Sequence, residues 1–144
     1  MQDKAAADVN LLLFLLFLAE RKRQLSGEEI ARLDAAVSQW RESVVKPLRA
    51  LRRGLKAGIE FIPGTVIETF RAQIKRLELE AEQIEQHRLD EFAGNDAGAP
   101  AASRMDAAQS NVAAYCARLA NVPQQAVDAI LHSFAEFHPI EPHF

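Results

Sequence analysis

Along most of this chain polar and apolar residues are interleaved, but residues 11–19 read LLLFLLFLA and offer no polar side chain to any direction around a helix. A helix that is apolar all round has to be buried. The stretch is therefore expected as the central rod of a helical domain and needs cover on every side. Asp8 or Asn10 can cap its start by accepting from free backbone amides, and it should run to about Arg23. Downstream the pattern turns amphipathic. Ser26 and Glu29 form the reciprocal capping box that starts a second helix. Its stripe of Ile30, Leu33, Val37, Trp40, Val44, Leu48, Leu51 and Leu55 keeps spacings of three or four past Pro47. Proline removes an amide and crowds the carbonyl of Ser43, so a bend or brief break is expected there rather than a boundary.

A tight turn around Pro63 and Gly64 leads to a second capping box, Thr65 with Glu68, and to a long third helix. Ile67, Phe70, Ile74, Leu77, Ala81 and Ile84 give that helix a narrow lengthwise seam, and Gly94 should end it in the left-handed conformation. Residues 94–103, GNDAGAPAAS, hold small residues with no bulky apolar group to fix them, and are expected as an exposed, flexible linker. Ser103 with Asp106 caps a fourth helix carrying Met105, Ala108, Val112, Tyr115, Cys116 and Leu119. A last helix after Pro123 presents Val127, Ile130, Leu131, Phe134 and Phe137, and the tail at 138–144 is irregular because of its two prolines. No run alternates with β-branched enrichment, so no sheet is expected.

The fold class is thus all-α: a single domain over 1–144, a helical bundle of about five helices around a fully apolar first helix. The kinked second and long third helices should pack antiparallel, with the last two closing the bundle. At 144 residues and 49% apolar content the chain is long enough for one sizeable core. Nine apolar residues at about 1.5 Å per residue fall short of the roughly 20 needed to span a bilayer. The basic residues 21–23 follow the stretch instead of preceding it, which is the wrong order for a signal peptide. A cytoplasmic protein without a membrane span is expected.

A net charge of −3 advertises no global affinity for nucleic acid. Locally, Arg49, Arg52, Arg53 and Lys56, with Arg41 and Lys46, make a basic face on the second helix that a phosphate-containing ligand or RNA backbone would fit. The plainer reading pairs that face with the acidic surface of the third helix around Glu78, Glu82 and Glu85. Asp8 and Asn10 form a polar group beside the most apolar helix, where a carboxylate against an apolar wall can work as an acid or base. Helix capping explains the same residues more simply. His87, His132, His138 and His143 contain no pair three or four apart, so no metal site is expected. Cys116 is the chain's one cysteine and reads as an inert, buried thiol. No nucleotide-binding, nucleophile-elbow or CxxC motif occurs, and no catalytic set or cofactor is expected.

Several separated motifs keep a common order: DVNLLLFLLFLAE over 8–20, Trp40, Val45, Pro47, LRALRR over 48–53, Leu55 with Lys56, the acidic run Glu78, Glu80, Ala81 and Glu82, and Asn111 with Tyr115 in NVAAY. In these the chain resembles a small proteobacterial family of unknown function. Its members share an Asp-Val-Asn-Leu-Leu-Leu helix, a Trp-containing helix and an Arg-rich segment. The likeness spans roughly 8–120 and implies no activity. It does imply a further amphipathic segment ahead of the residues matching Gln2 and Asp3, so that a partner would fill the surface such a segment covers. The expected role is interaction: a self-associating module or one that binds a helical protein partner through exposed apolar surface.

Overall fold

In the computed structural model, which describes residues 8–94, 97–119 and 122–136, Asp8 begins the first helix. Its Oδ1 accepts from the backbone amides of Asn10 (2.9 Å) and Leu11 (3.3 Å), two donors that the helix cannot satisfy itself. Helix α1 (Val9–Glu20) follows, then β1 (Arg23–Gln24), α2 (Gly27–Trp40), a π-helical turn (Arg41–Val45), α3 (Lys46–Gly54), a 3-10 turn (Leu55–Ala57), α4 (Gly64–Ala93), β2 (Ala99–Pro100), α5 (Arg104–Cys116) and α6 (Gln124–Glu136). The fold is all-α, with five helices when α2, the π turn and α3 are taken as one continuous rod. No helix among the described residues is long and apolar enough to cross a membrane. Gln2, Asp3, Asn95, Asp96, Phe137, His138, His143 and the rest of the tail lie outside the described residues.

By its internal contacts the chain divides into two units, residues 1–32 with 93–144, and residues 33–92. In the first unit, α1 packs along α5. The amide of Asp8 donates to the Tyr115 hydroxyl at 2.7 Å, and Asn111 Nδ2 donates to the Leu15 carbonyl at 3.1 Å. Rising numbers on α1 meet falling ones on α5, so the two run antiparallel. Ala19, Ala107, Ala108 and Phe134 form a core where small side chains let the helices close on one another, with Leu16, Met105 and Leu131 around it.

A small sheet corrects the expectation of none: Arg23 pairs with Pro100 and Gln24 with Ala99, antiparallel. The pairing ties down part of the linker-like stretch. Arg23 donates from Nε to the Ala97 carbonyl (2.9 Å) and from Nη2 to the Gly98 carbonyl (2.6 Å), while Gly98 N donates to Glu29 Oε2 (3.2 Å). Gly98 has a φ of +76°, and a Cβ there would lie 2.7 Å from the Gln24 carbonyl oxygen. Gly98→Ala is accordingly expected to cost about 2 kcal/mol, from left-handed strain and displacement of the strand pair, read as a lowered thermal midpoint. An unchanged midpoint would mean the pair is dispensable.

In the second unit, Trp40 Nε1 donates to the Ala81 carbonyl (2.9 Å) and Arg71 Nε to the Arg52 carbonyl (3.0 Å), so α4 returns antiparallel along α2 and α3. The Ser26–Glu29 capping box forms in both directions at 3.1 Å. The expected Thr65–Glu68 box does not: α4 starts a residue earlier, at Gly64, and the Glu68 carboxylate is held by Arg71 at 3.0 and 3.1 Å. At Pro47 the rod does not break. The preceding turn widens to π geometry, with Lys46 N donating to the Arg41 carbonyl, which relieves the crowding that proline imposes on an α-helical carbonyl. The extra residue slips the stripe by one, so Val45 is the buried residue and Val44 only half-buried.

Two apolar patterns need correction. The seam on α4 is half right: Ile67, Ile74 and Ala81 are buried, whereas Phe70, Leu77 and Ile84 are about half-exposed, and Glu78, Glu85 and Leu89 complete the buried face. The first helix is not covered on every side either. Leu11, Leu12, Phe14, Leu15, Leu18 and Ala19 are buried, but Val9, Leu13 and Phe17 are 37, 54 and 46% exposed. These three stand at i, i+4 and i+8 and so form one row along the helix.

Candidate functional site

The uncovered row of α1 forms one wall of the main apolar concavity in the first unit, a groove of about 690 Å³. Val9, Leu12, Leu13, Leu16 and Phe17 line it from α1, and Ala129, Ile130, Ser133 and Phe134 from α6, with Glu20 at its edge. The sequence produces it in two steps. α1 is apolar in every direction, so whichever face its neighbours leave open is apolar. α6 has a single fully buried anchor, Phe134, and presents the small Ala129 and Ser133 beside α1, too short to fill the space.

A polar clamp borders the groove. The Arg104 guanidinium lies 4.2 Å above the Phe134 ring, donates to the Phe134 carbonyl (2.8 Å) and pairs with Glu20 (2.9 Å). Arg21 lies 4.7 Å above the exposed Phe17 ring. These cation–π contacts hold both aromatic rings in place without covering the faces that point into the groove. Glu20 is the groove's one ionisable lining residue, and its carboxylate is committed to Arg104. What the lining offers is therefore desolvation: each half-exposed apolar side chain withdrawn from water is worth on the order of 1 kcal/mol.

The residues expected to carry a polar or anion site are placed elsewhere. Asp8 is buried with its carboxylate in the α1 cap, and Asn10 is buried beside it. Arg49 donates from Nε to Glu78 (3.1 Å) and from Nη2 to Glu82 (3.0 Å), and Arg52 donates from Nε to Glu78 Oε2 (2.5 Å). Arg53 and Lys56 are exposed. The basic face is thus split between guanidiniums that meet α4 carboxylates and cations turned to water.

A second concavity, of about 370 Å³, lies within residues 33–92, where Val37, Trp40, Ser43, Ile84, Glu85 and Arg88 are among its lining. Trp40 is anchored there by its bond to Ala81. His87 and His132 form exposed ion pairs with Glu91 (2.7 Å) and Glu136 (3.2 Å). Burial pushes the Cys116 thiol above its ordinary range, away from the thiolate that reactivity requires. Among the described residues no three His, Cys, Asp or Glu side chains converge as a metal site would.

Sequence reasoning treated Leu13 and Phe17 as core and did not single out Ala129 or Ser133. The available signal was that a rod apolar in all directions demands more cover than two neighbouring helices supply.

Comparison with known proteins adds a family and no activity. A family model described as a protein of unknown function, DUF2390, matches residues 1–89. No curated protein matches, and no solved structure matches.

Proposed function

The chain belongs to the DUF2390 family of proteins of unknown function, and from the groove geometry we propose that it is a protein-interaction module whose α1–α6 groove receives an apolar helix of a partner protein. The observation that carries this reading is the Val9–Leu13–Phe17 row. Three large apolar residues stay substantially in water along a helix that is otherwise core, and a groove with almost no polar lining opens beside them. An amphipathic helix laid into such a groove would offer its own i, i+3, i+4 and i+7 anchors to this row. The Glu20–Arg104 pair and Arg21 supply a polar rim of the kind that surrounds a dry interface centre.

The test is site-specific photo-crosslinking in the native host. A crosslinker at position 13 should give a discrete protein adduct, and one at exposed Glu28 should not. Phe17→Asp should lower the adduct at position 13 by at least tenfold. Because Leu13 and Phe17 are already exposed, charged substitutions there should change stability by less than about 0.5 kcal/mol, so a lost adduct cannot be attributed to unfolding. Equal labelling from positions 13 and 28 would refute the reading.

A further inference from the structure

Helix α4 carries a second uncovered apolar row, which does not depend on the groove. Val66, Phe70, Leu77 and Ile84 are 56, 51, 53 and 46% exposed. Their spacings of four and seven put them on one edge of the helix, beside the buried row of Ile67, Ile74 and Ala81. Exposed Gln73 and Glu80 fall on the same edge, which completes a heptad pattern running 66, 70, 73, 77, 80, 84. The helix that bears it has 30 residues, about 45 Å of straight surface.

What covers this row is indicated by the charges along it. The exposed ionised residues on the N-terminal half of α4 are net basic, Lys75 and Arg76 against Glu68. Those on the C-terminal half are net acidic, Glu80, Asp90 and Glu91 against Arg88. A helix with this polarity repels a parallel copy of itself and attracts an antiparallel one. We propose that α4 pairs with α4 of a second copy of this chain, antiparallel and centred near Leu77. That arrangement sets Phe70 near the partner's Ile84 and Arg76 within reach of the partner's Glu80. Both relations occur twice, as a two-fold interface requires.

Sedimentation analysis of the full chain from about 1 to 500 µM, a range spanning weak to moderate dimers, tests this. A reversible dimer is expected. Leu77→Asp should raise its dissociation constant at least tenfold while the emission of Trp40 stays unchanged, because Leu77 lies outside the core. Arg76→Glu should weaken the dimer, and the double change Arg76→Glu with Glu80→Arg should restore it. In a Cys116→Ala background, Leu77→Cys should form a disulfide-linked dimer under mild oxidation and Val66→Cys should not. A monomer at every concentration, a dimer indifferent to Leu77→Asp, or equal crosslinking from positions 66 and 77 would each overturn the proposal. A dimer that persists in Leu77→Asp but is lost in Leu13→Asp would place self-association in the groove instead.

Discussion

Replacing Asn111 with alanine is expected to destabilise the unit built from residues 1–32 and 93–144 by about 3–5 kcal/mol, the range reached when a buried polar network is broken. Asn111 is fully buried on α5. Its Oδ1 accepts from the Leu25 amide at 2.8 Å, and its Nδ2 donates to the Leu15 and Arg23 carbonyls, both at 3.1 Å. One side chain thus satisfies three main-chain groups on α1, on β1 and just before α2. Alanine would leave those groups desolvated and without a partner, at about 1–3 kcal/mol each before relaxation. Asn111→Asp keeps the acceptor for Leu25 but sets a carboxylate against two carbonyl oxygens, so it should be nearly as damaging at neutral pH. It should recover in part in acid, where a protonated carboxyl can donate again. Tyr115, the chain's one tyrosine, stands one turn further along α5. Urea unfolding followed by its near-ultraviolet dichroism would report the loss, and a loss below about 1 kcal/mol would show that Asn111 is not the organising contact.

What could be read from the sequence divides by the range of the interaction involved. The caps at Asp8, Ser26 and Ser103 and the end of α4 at Gly94 (φ +71°) are decided within a few residues, and all four were legible. Asn111 was visible only as part of a resemblance, because its partners lie 86 to 96 residues away. The pairing of Arg23–Gln24 with Ala99–Pro100 is two residues long, too short to leave any periodicity. On α4 the sequence holds two adjacent apolar rows that fit a seam equally well. Arg49 and Arg52 of α3 select between them by drawing Glu78 inward, which turns Phe70, Leu77 and Ile84 toward water. The groove was hidden for the opposite reason: a helix apolar on every side carries no information about which side its neighbours leave open.

The same ion pairs give the second large effect. Glu78→Ala is expected to cost about 2–4 kcal/mol in the unit built from residues 33–92. The Glu78 side chain is 6% exposed, and those of Arg49 and Arg52 are 13 and 23% exposed. Removing the carboxylate would leave two largely buried guanidiniums with less to hold them. The residual contact of both with water, and the bond from Arg49 to Glu82, keep the cost toward the lower end of the range for a broken buried pair. Replacing Glu78, Arg49 and Arg52 together with apolar residues of similar volume should be far less harmful than Glu78→Ala alone, since no charge would then remain to be desolvated. Acid gives an independent reading. Burial pushes the Glu78 carboxyl up, but the hydrogen bonds from Arg52 and Arg49, and then their charges, outweigh it and hold the group below its ordinary 4.5. A carboxyl whose folded pKa is depressed contributes stability that is complete above its unfolded value and is lost as the pH falls through the folded one. The wild-type unit should therefore weaken progressively below about pH 4.5 through this group, and Glu78→Gln should remove that part of the pH dependence. Trp40, the one tryptophan, is bonded to Ala81 one turn along α4 from Glu78, so its fluorescence follows this unit through urea unfolding at each pH. Identical acid profiles for the wild type and Glu78→Gln would show that the arginines do not hold the Glu78 charge.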